Sequence, residues 1–292
     1  MRSAFPLFML ITGLFAASGC TTSNGVGSDY PGGGPTTGST GGDATVGVRV
    51  GSVLVREGAL GPETLQGSQV TAGFRDAPDG TNGVSTTRWI GPCAISVYTT
   101  EPVDGTSVYR SAGVVTISGL DMPVSLAPTG SGVTLYSDSS SFTNSLFSGG
   151  ESLTFSATGA AVPAFTATLV APSLIDLQSP AVPANGVPFV LDRSADLIFA
   201  WSGGGFGTVD VTFSDSTNAA VDCNFPSSAG TGTIPEAALA ALAPNAAGFF
   251  QINVQSYVEQ TIGGWTILTA AGRSIQVKGA SLVTTDTYQA SN

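Results

Sequence analysis

Three thiols, scattered carboxylates and no imidazole bound the chemistry open to this 292-residue chain. The lack of histidine removes Ser-His-Asp and Cys-His nucleophile pairs, the HExxH zinc motif and His-ligated metals. A general base working near neutral pH has to be a perturbed carboxylate, a cysteine or Lys278, the single lysine. Neither G-x-S-x-G nor S-x-x-K occurs, since Ser274 and Lys278 stand four apart, and no Walker or dinucleotide glycine motif follows a strand and opens a helix. Paired-carboxylate glycan hydrolysis needs no histidine. Its candidates are Asp176, Asp192, Asp196 and Asp210, which read locally as turn or solvent-face acids. The chain is therefore expected to be no enzyme and to use no cofactor, with a glycoside hydrolase as the alternative.

The remaining constellations are for binding or stapling. Asp76, Asp79 and Asn82 sit in the Gly-containing stretch 76–83, where carboxylate and amide oxygens suit calcium. The stretch lacks the ligand spacing and closing Glu of an EF-hand, and Asp-Gly and Asn-Gly are ordinary turn dipeptides, so a turn is the first reading. Cys93 and Cys223 have two readings, a disulfide in an oxidising compartment or two buried apolar thiols. Trp201 and Trp265 stand in apolar alternation and belong to a core. Trp89, beside Arg88, is the one tryptophan expected at the surface, and a line of exposed aromatics would be a sugar platform.

Cys20 has a different setting. Arg2 gives a short positive start, 4–17 is an uncharged apolar run, and the small residues Ala17, Ser18 and Gly19 follow. A run of 14 residues falls short of the roughly 20 that span a bilayer as a helix, and the layout is that of a secretory signal. Ser18-Gly19-Cys20 resembles the cleavage box of bacterial lipoproteins, with Ala17 where Leu is usual. The resemblance implies that Cys20 becomes the first mature residue and carries acyl chains, so that the lipid bilayer is a partner. It also implies the outer membrane, because Thr21 rather than Asp follows the cysteine. The alternative is ordinary cleavage after 17–19 or 16–18, leaving a soluble secreted or periplasmic protein.

Beyond Cys20, residues 21–44 hold eight Gly, eight Ser or Thr and only two charges. Such a segment buries too little to offset ordering entropy and is expected to be a disordered tether, with a reach of about 25–30 Å. Charged residues are only 10% of the chain, with net charge −11. That balance excludes nucleic acid, whose phosphates need clustered Lys and Arg.

The elements that must position all these residues are strands. Period-two alternation dominates, in runs at 46–50, 52–55, 70–74, 94–99, 113–118, 133–136, 152–157 and 165–170, separated by Gly/Pro/Asp turns. A second series begins near 173 with 174–177. Then Leu197, Phe199 and Trp201 alternate inward, and Gly203, Gly204 and Gly205 lead to Val209, Val211 and Phe213, read as a hairpin. Runs at 250–254, 264–267 and 275–277 follow. One helical signal, at 234–242, opens with Pro235 and Glu236 and stops at Pro244. The fold expected is all-β: two tandem antiparallel β-sandwich domains after a disordered tether, the second with one short crossover helix. The boundaries are 1–19 signal, 20–44 lipidated cysteine and linker, 45–172 first sandwich, 173–279 second sandwich and 280–292 tail. An 18-residue likeness between 152–169 and 196–213 reads as two similar hairpins rather than a repeat. Residues 173–279 resemble immunoglobulin-like or fibronectin type III-like domains of bacterial surface proteins, which implies adhesion, spacing or sugar binding. The expected role is a non-catalytic structural, adhesive or interaction module, with a glycan or another surface protein as partner and carbohydrate binding as the alternative.

Overall fold

The computed structural model describes residues 48–60, 65–77, 84–98, 107–129, 135–142, 145–181, 189–244, 247–276 and 281–285. The chain divides into Met1–Ala44 and Thr45–Asn292, and every described residue belongs to the second unit. Cys20, Asp79, Asn82 and Lys278, like the leader and tether, lie outside the described residues.

Ten strands precede residue 172: β1 (Val48–Leu60), β2 (Leu65–Ala77), β3 (Val84–Ile90), β4 (Cys93–Tyr98), β5 (Val108–Tyr109), β6 (Val115–Ser118), β7 (Val124–Leu126), β8 (Leu135–Phe142), β9 (Ser152–Ala157) and β10 (Phe165–Val170). Then come β11 (Ile175–Ser179), β12 (Phe189–Asp192), β13 (Leu197–Gly203), β14 (Thr208–Asp215), β15 (Ala219–Pro226) and β16 (Thr231–Ile234). A helical turn α1 (Glu236–Leu239), β17 (Ala247–Ile262), β18 (Trp265–Gln276) and β19 (Ser281–Thr285) complete the series. The fold is all-β, as the alternation requires. In β10, for example, Phe165, Ala167 and Leu169 are buried while Thr166, Thr168 and Val170 face solvent.

Among the described residues the strands form three sheets. A 12-stranded sheet runs β3-β4-β15-β14-β17-β18-β1-β2-β5, with β8 also on β2 and β19 joining β17 to β12. A four-stranded sheet has the order β10-β9-β6-β7, and a three-stranded sheet the order β11-β13-β16. Each small sheet packs on the large one around its own apolar cluster. The first cluster takes Phe74 from β2, Tyr136 from β8 and Ile267 from β18, against Ile117 and Phe155 of the four-stranded sheet. The second takes Ile95, Phe213 and Ile252 from the large sheet, against Phe199 and Trp201 of the three-stranded one. Burying each such side chain contributes roughly 1.5–3 kcal/mol.

Several expectations need correction. The large sheet is mixed rather than antiparallel, because β1 lies parallel to β18 (Val50 opposite Thr266) and β12 parallel to β19. The boundary at 172/173 is crossed by both clusters. Trp265, Ile267 and Ala271 belong to the first, while Cys93 and Ile95 belong to the second. Residues 281–285, expected in a tail, form β19, whose β-branched residues pair with β12 and β17.

β13 and β14 are no hairpin. Their apolar residues do point into one core, but β13 pairs with β11 and β16, and β14 with β15 and β17. Gly203 and Gly204, at φ 76° and 70°, swing the chain from one sheet to the other. By contrast β9 and β10 are a true pair, so the two similar segments have different structures. The helix is one turn rather than two: it begins at Glu236, since Ile234 is committed to β16 opposite Leu197, and it ends at Leu239. The run at 275–277 begins as the end of β18 rather than a new strand.

Candidate functional site

On the face of the large sheet opposite the second core, β14 presents Asp210 and Thr212, β15 presents Asp222 and Asn224, and β17 presents Gln251, Asn253 and Gln255. The register makes this unavoidable: Val209, Val211 and Phe213 point inward, so their neighbours point outward. Asp210 is nonetheless only 2% exposed. The Thr212 hydroxyl donates to Asp222 Oδ1 at 2.6 Å and stands 3.5 Å from Asp210 Oδ1. Gln255 Nε2 donates to Asp210 Oδ2 at 3.1 Å. Burial first, and then the Asp222 charge, push the Asp210 carboxyl up to about 7 against the lowering effect of Thr212. Burial likewise raises Asp222, opposed by the same hydroxyl.

Cross-strand partners continue this row to the sheet edge: Gln251, Thr212, Asp222, Ala94 and Trp89. Trp89 is 64% exposed, while Trp201 and Trp265 are buried in the two cores. On the opposite face, directly behind Ala94 and Asp222, Cys93 and Cys223 are register partners joined in a disulfide, with Cα atoms 4.0 Å apart. The disulfide fastens the edge hairpin β3–β4, and with it Trp89, to the middle of the sheet.

A paired-carboxylate hydrolase needs its acids on either side of a scissile bond, about 5–10 Å apart. Asp210 and Asp222 come together, but the Thr212 hydroxyl occupies the space between them and Gln255 covers Asp210. The other candidate acids are dispersed and employed. Asp192 accepts from the Ser194 backbone and hydroxyl at 2.9 and 2.7 Å, and Asp196 accepts from the Glu236 N–H at 2.8 Å, at the start of α1. Asp176 is exposed and takes a 2.7 Å bond from Gln178. Asp76 is bound by two guanidinium groups, Arg49 Nε at 3.1 Å and Arg110 Nε at 2.7 Å. A carboxylate so neutralised is a poor ligand for a hard cation. Among the described residues no cluster of three or more acids or cysteines is disposed to hold a metal.

Two polar clusters escaped the sequence reading. Asp215 accepts from the Thr217 N–H and hydroxyl, the Ala219 N–H and the Ala243 N–H, between 2.6 and 3.2 Å. Burial pulls its carboxyl upward, but these donors outweigh burial and hold it below the ordinary range. Glu57 and Arg273, register partners on β1 and β18, form an ion pair at 2.6 Å with 1% and 5% of their surfaces exposed. Glu57 accepts from Ser145 Oγ and from the N–H groups of Leu146 and Phe147. Arg273 donates to the carbonyls of Phe147 and Ser148 and lies 4.5 Å from the Phe147 ring centre. The signal was present: each charge falls at an inward step of an alternating strand. Asp222 was missed because β15 was not read as a strand, although Val221, Cys223 and Phe225 alternate there with Asp222, Asn224 and Pro226.

No family model matches the sequence, and no curated protein is similar to it. Its function has to be argued from its own residues.

Proposed function

We propose that this chain is an exported, non-catalytic β-sheet protein, held at the outer membrane through acylated Cys20 and serving a structural, adhesive or interaction role. The observation that carries the extracytoplasmic part is the buried Cys93–Cys223 disulfide, since such bonds persist in oxidising compartments. The lack of histidine, and the structural employment of the acids that hydrolysis would need, support the non-catalytic part. Metabolic labelling with a fatty-acid analogue tests the anchor. The wild-type chain should be marked and the Cys20→Ala chain should not. Label that survives the substitution, or never appears, returns the protein to the soluble secreted or periplasmic class.

A second reading, glycan binding, is favoured by one observation. Trp89 offers an exposed ring about 10 Å, two strand spacings, from Asp222 on the same sheet face, with the small Ala94 between them. An aromatic face beside hydrogen-bonding oxygens is the ordinary recognition chemistry of a sugar ring. A glycan array probed with wild-type and Trp89→Ala protein decides it: binding that the substitution abolishes supports this reading, and an array without binders ends it.

A further inference from the structure

Asp210 and Asp222 compete for a single proton donor. Thr212 Oγ1 lies 2.6 Å from Asp222 Oδ1 and 3.5 Å from Asp210 Oδ1. A hydroxyl has one proton to give, and the shorter contact takes it. Asp210 keeps the Gln255 amide on its other oxygen. The remaining side chains around it on this face are Thr208, Asn224 and Asn253, with Gln251 one step along β17, and all are neutral.

Among the described residues, Arg56 of β1 is the cation on this face that comes nearest in register. It stands two strands beyond Gln255, with Gly272 of β18 between them. Asp222 is therefore the nearest charged group to Asp210 on this face of the described parts of β14, β15 and β17, Glu259 of β17 lying six residues beyond Asn253, about 20 Å along the strand. A carboxylate 2% exposed, with a second carboxylate and, among the described residues, no cation beside it, is a poor place for an anion. Two acids so close titrate as a pair.

We propose that Asp210 and Asp222 hold one proton between them in mildly acidic solution and release it as the pH passes neutrality, so that the centre of the long sheet carries a pH-sensitive latch across β14, β15 and β17. The inference is independent of whether the chain is lipid-anchored or binds glycans. Unfolded Asp carboxyls ionise near 4, whereas burial and the neighbouring Asp222 charge push Asp210 up to about 7 in the fold. Between those values the folded state binds more protons than the unfolded state, so stability falls as pH rises through the window. Above it both acids are ionised, and their repulsion acts on the β14–β15 pairing. The Cys93–Cys223 bond keeps β15 attached to β4 throughout.

Infrared spectroscopy and thermal unfolding of the full, oxidised chain test this together. At about pH 6 the folded wild type should show a protonated-carboxyl stretch that vanishes by about pH 9, and Asp210→Asn should lack it. The wild-type melting temperature should fall between about pH 5 and about pH 8, and Asp210→Asn should flatten that slope. Asp222→Asn removes the neighbouring charge and should move the midpoint of the transition toward acid. A wild-type spectrum without the protonated band at about pH 6 overturns the proposal, and so does an Asp210→Asn chain that keeps the wild-type slope. Should Asp210→Asn fail to fold, the wild-type spectrum and the Asp222→Asn midpoint decide alone.

Discussion

Glu57 and Arg273 are charges at positions where their strands otherwise place uncharged side chains. Val53 and Val55 precede Glu57 on the inward face of β1, and Ile267 and Ala271 precede Arg273 on that of β18. Moving both ions out of water is expensive, and their attraction roughly offsets that cost only because the hydrogen bonding is complete. The pair fixes the segment containing Ser145, Leu146 and Phe147 against the large sheet. Leu146 and Phe147 can then bury their side chains while their backbone N–H groups are satisfied by Glu57. Removing one partner strands the other charge. Glu57→Gln and Arg273→Met should each cost about 3–5 kcal/mol in urea denaturation, while replacing both by apolar residues should cost less than the two single changes together. Single-variant costs below about 1 kcal/mol would mean that the pair is solvated and does not order this segment.

At the scale of elements, the hairpin β3–β4 is one end of the large sheet and, among the described residues, hydrogen-bonds to the rest of it through β15. Short antiparallel pairs are marginal by themselves, and the Cys93–Cys223 bond gives this one a covalent hold across 130 residues of sequence. Replacing both cysteines by serine should lower stability by about 2–5 kcal/mol. Hydrogen exchange should then speed up in β3 and β4 well before it does in β17 and β18; uniform acceleration across the sheet would contradict this local role. Much at this scale could be read in advance. The inward residues of β9, β10, β13 and β14, and the burial of Trp201 and Trp265, follow from alternation alone. Pairing did not follow. Alternation says which way Phe199 and Phe213 point but not whether their strands are bonded or face each other across a core. The glycines between them are compatible with either a tight turn or a passage between sheets. The short strands β12, β16 and β19, of four or five residues each, are too short to announce themselves.

At the scale of the whole molecule, the pairing of β1 with β18 decides how the body behaves. The expected division at 172/173 follows the order of the strands along the chain, but parallel pairing joins residues more than 200 apart in sequence (Val50 with Thr266) and places the last long strand in the first apolar cluster. No local pattern encodes a contact of that range, and for that reason two cores looked like two domains. A piece ending at 172 lacks β18, and with it Trp265, Ile267 and the partner of Glu57. A piece beginning at 173 lacks β4 and leaves β15 without Cys93 and Ile95. Residues 45–172 and 173–292 expressed separately should each fail to give dispersed amide spectra, whereas 45–292 should unfold in one cooperative transition by circular dichroism and tryptophan fluorescence. Two separated transitions, or an independently folded 173–292, would show that the long sheet is a seam between two domains rather than the element that makes them one.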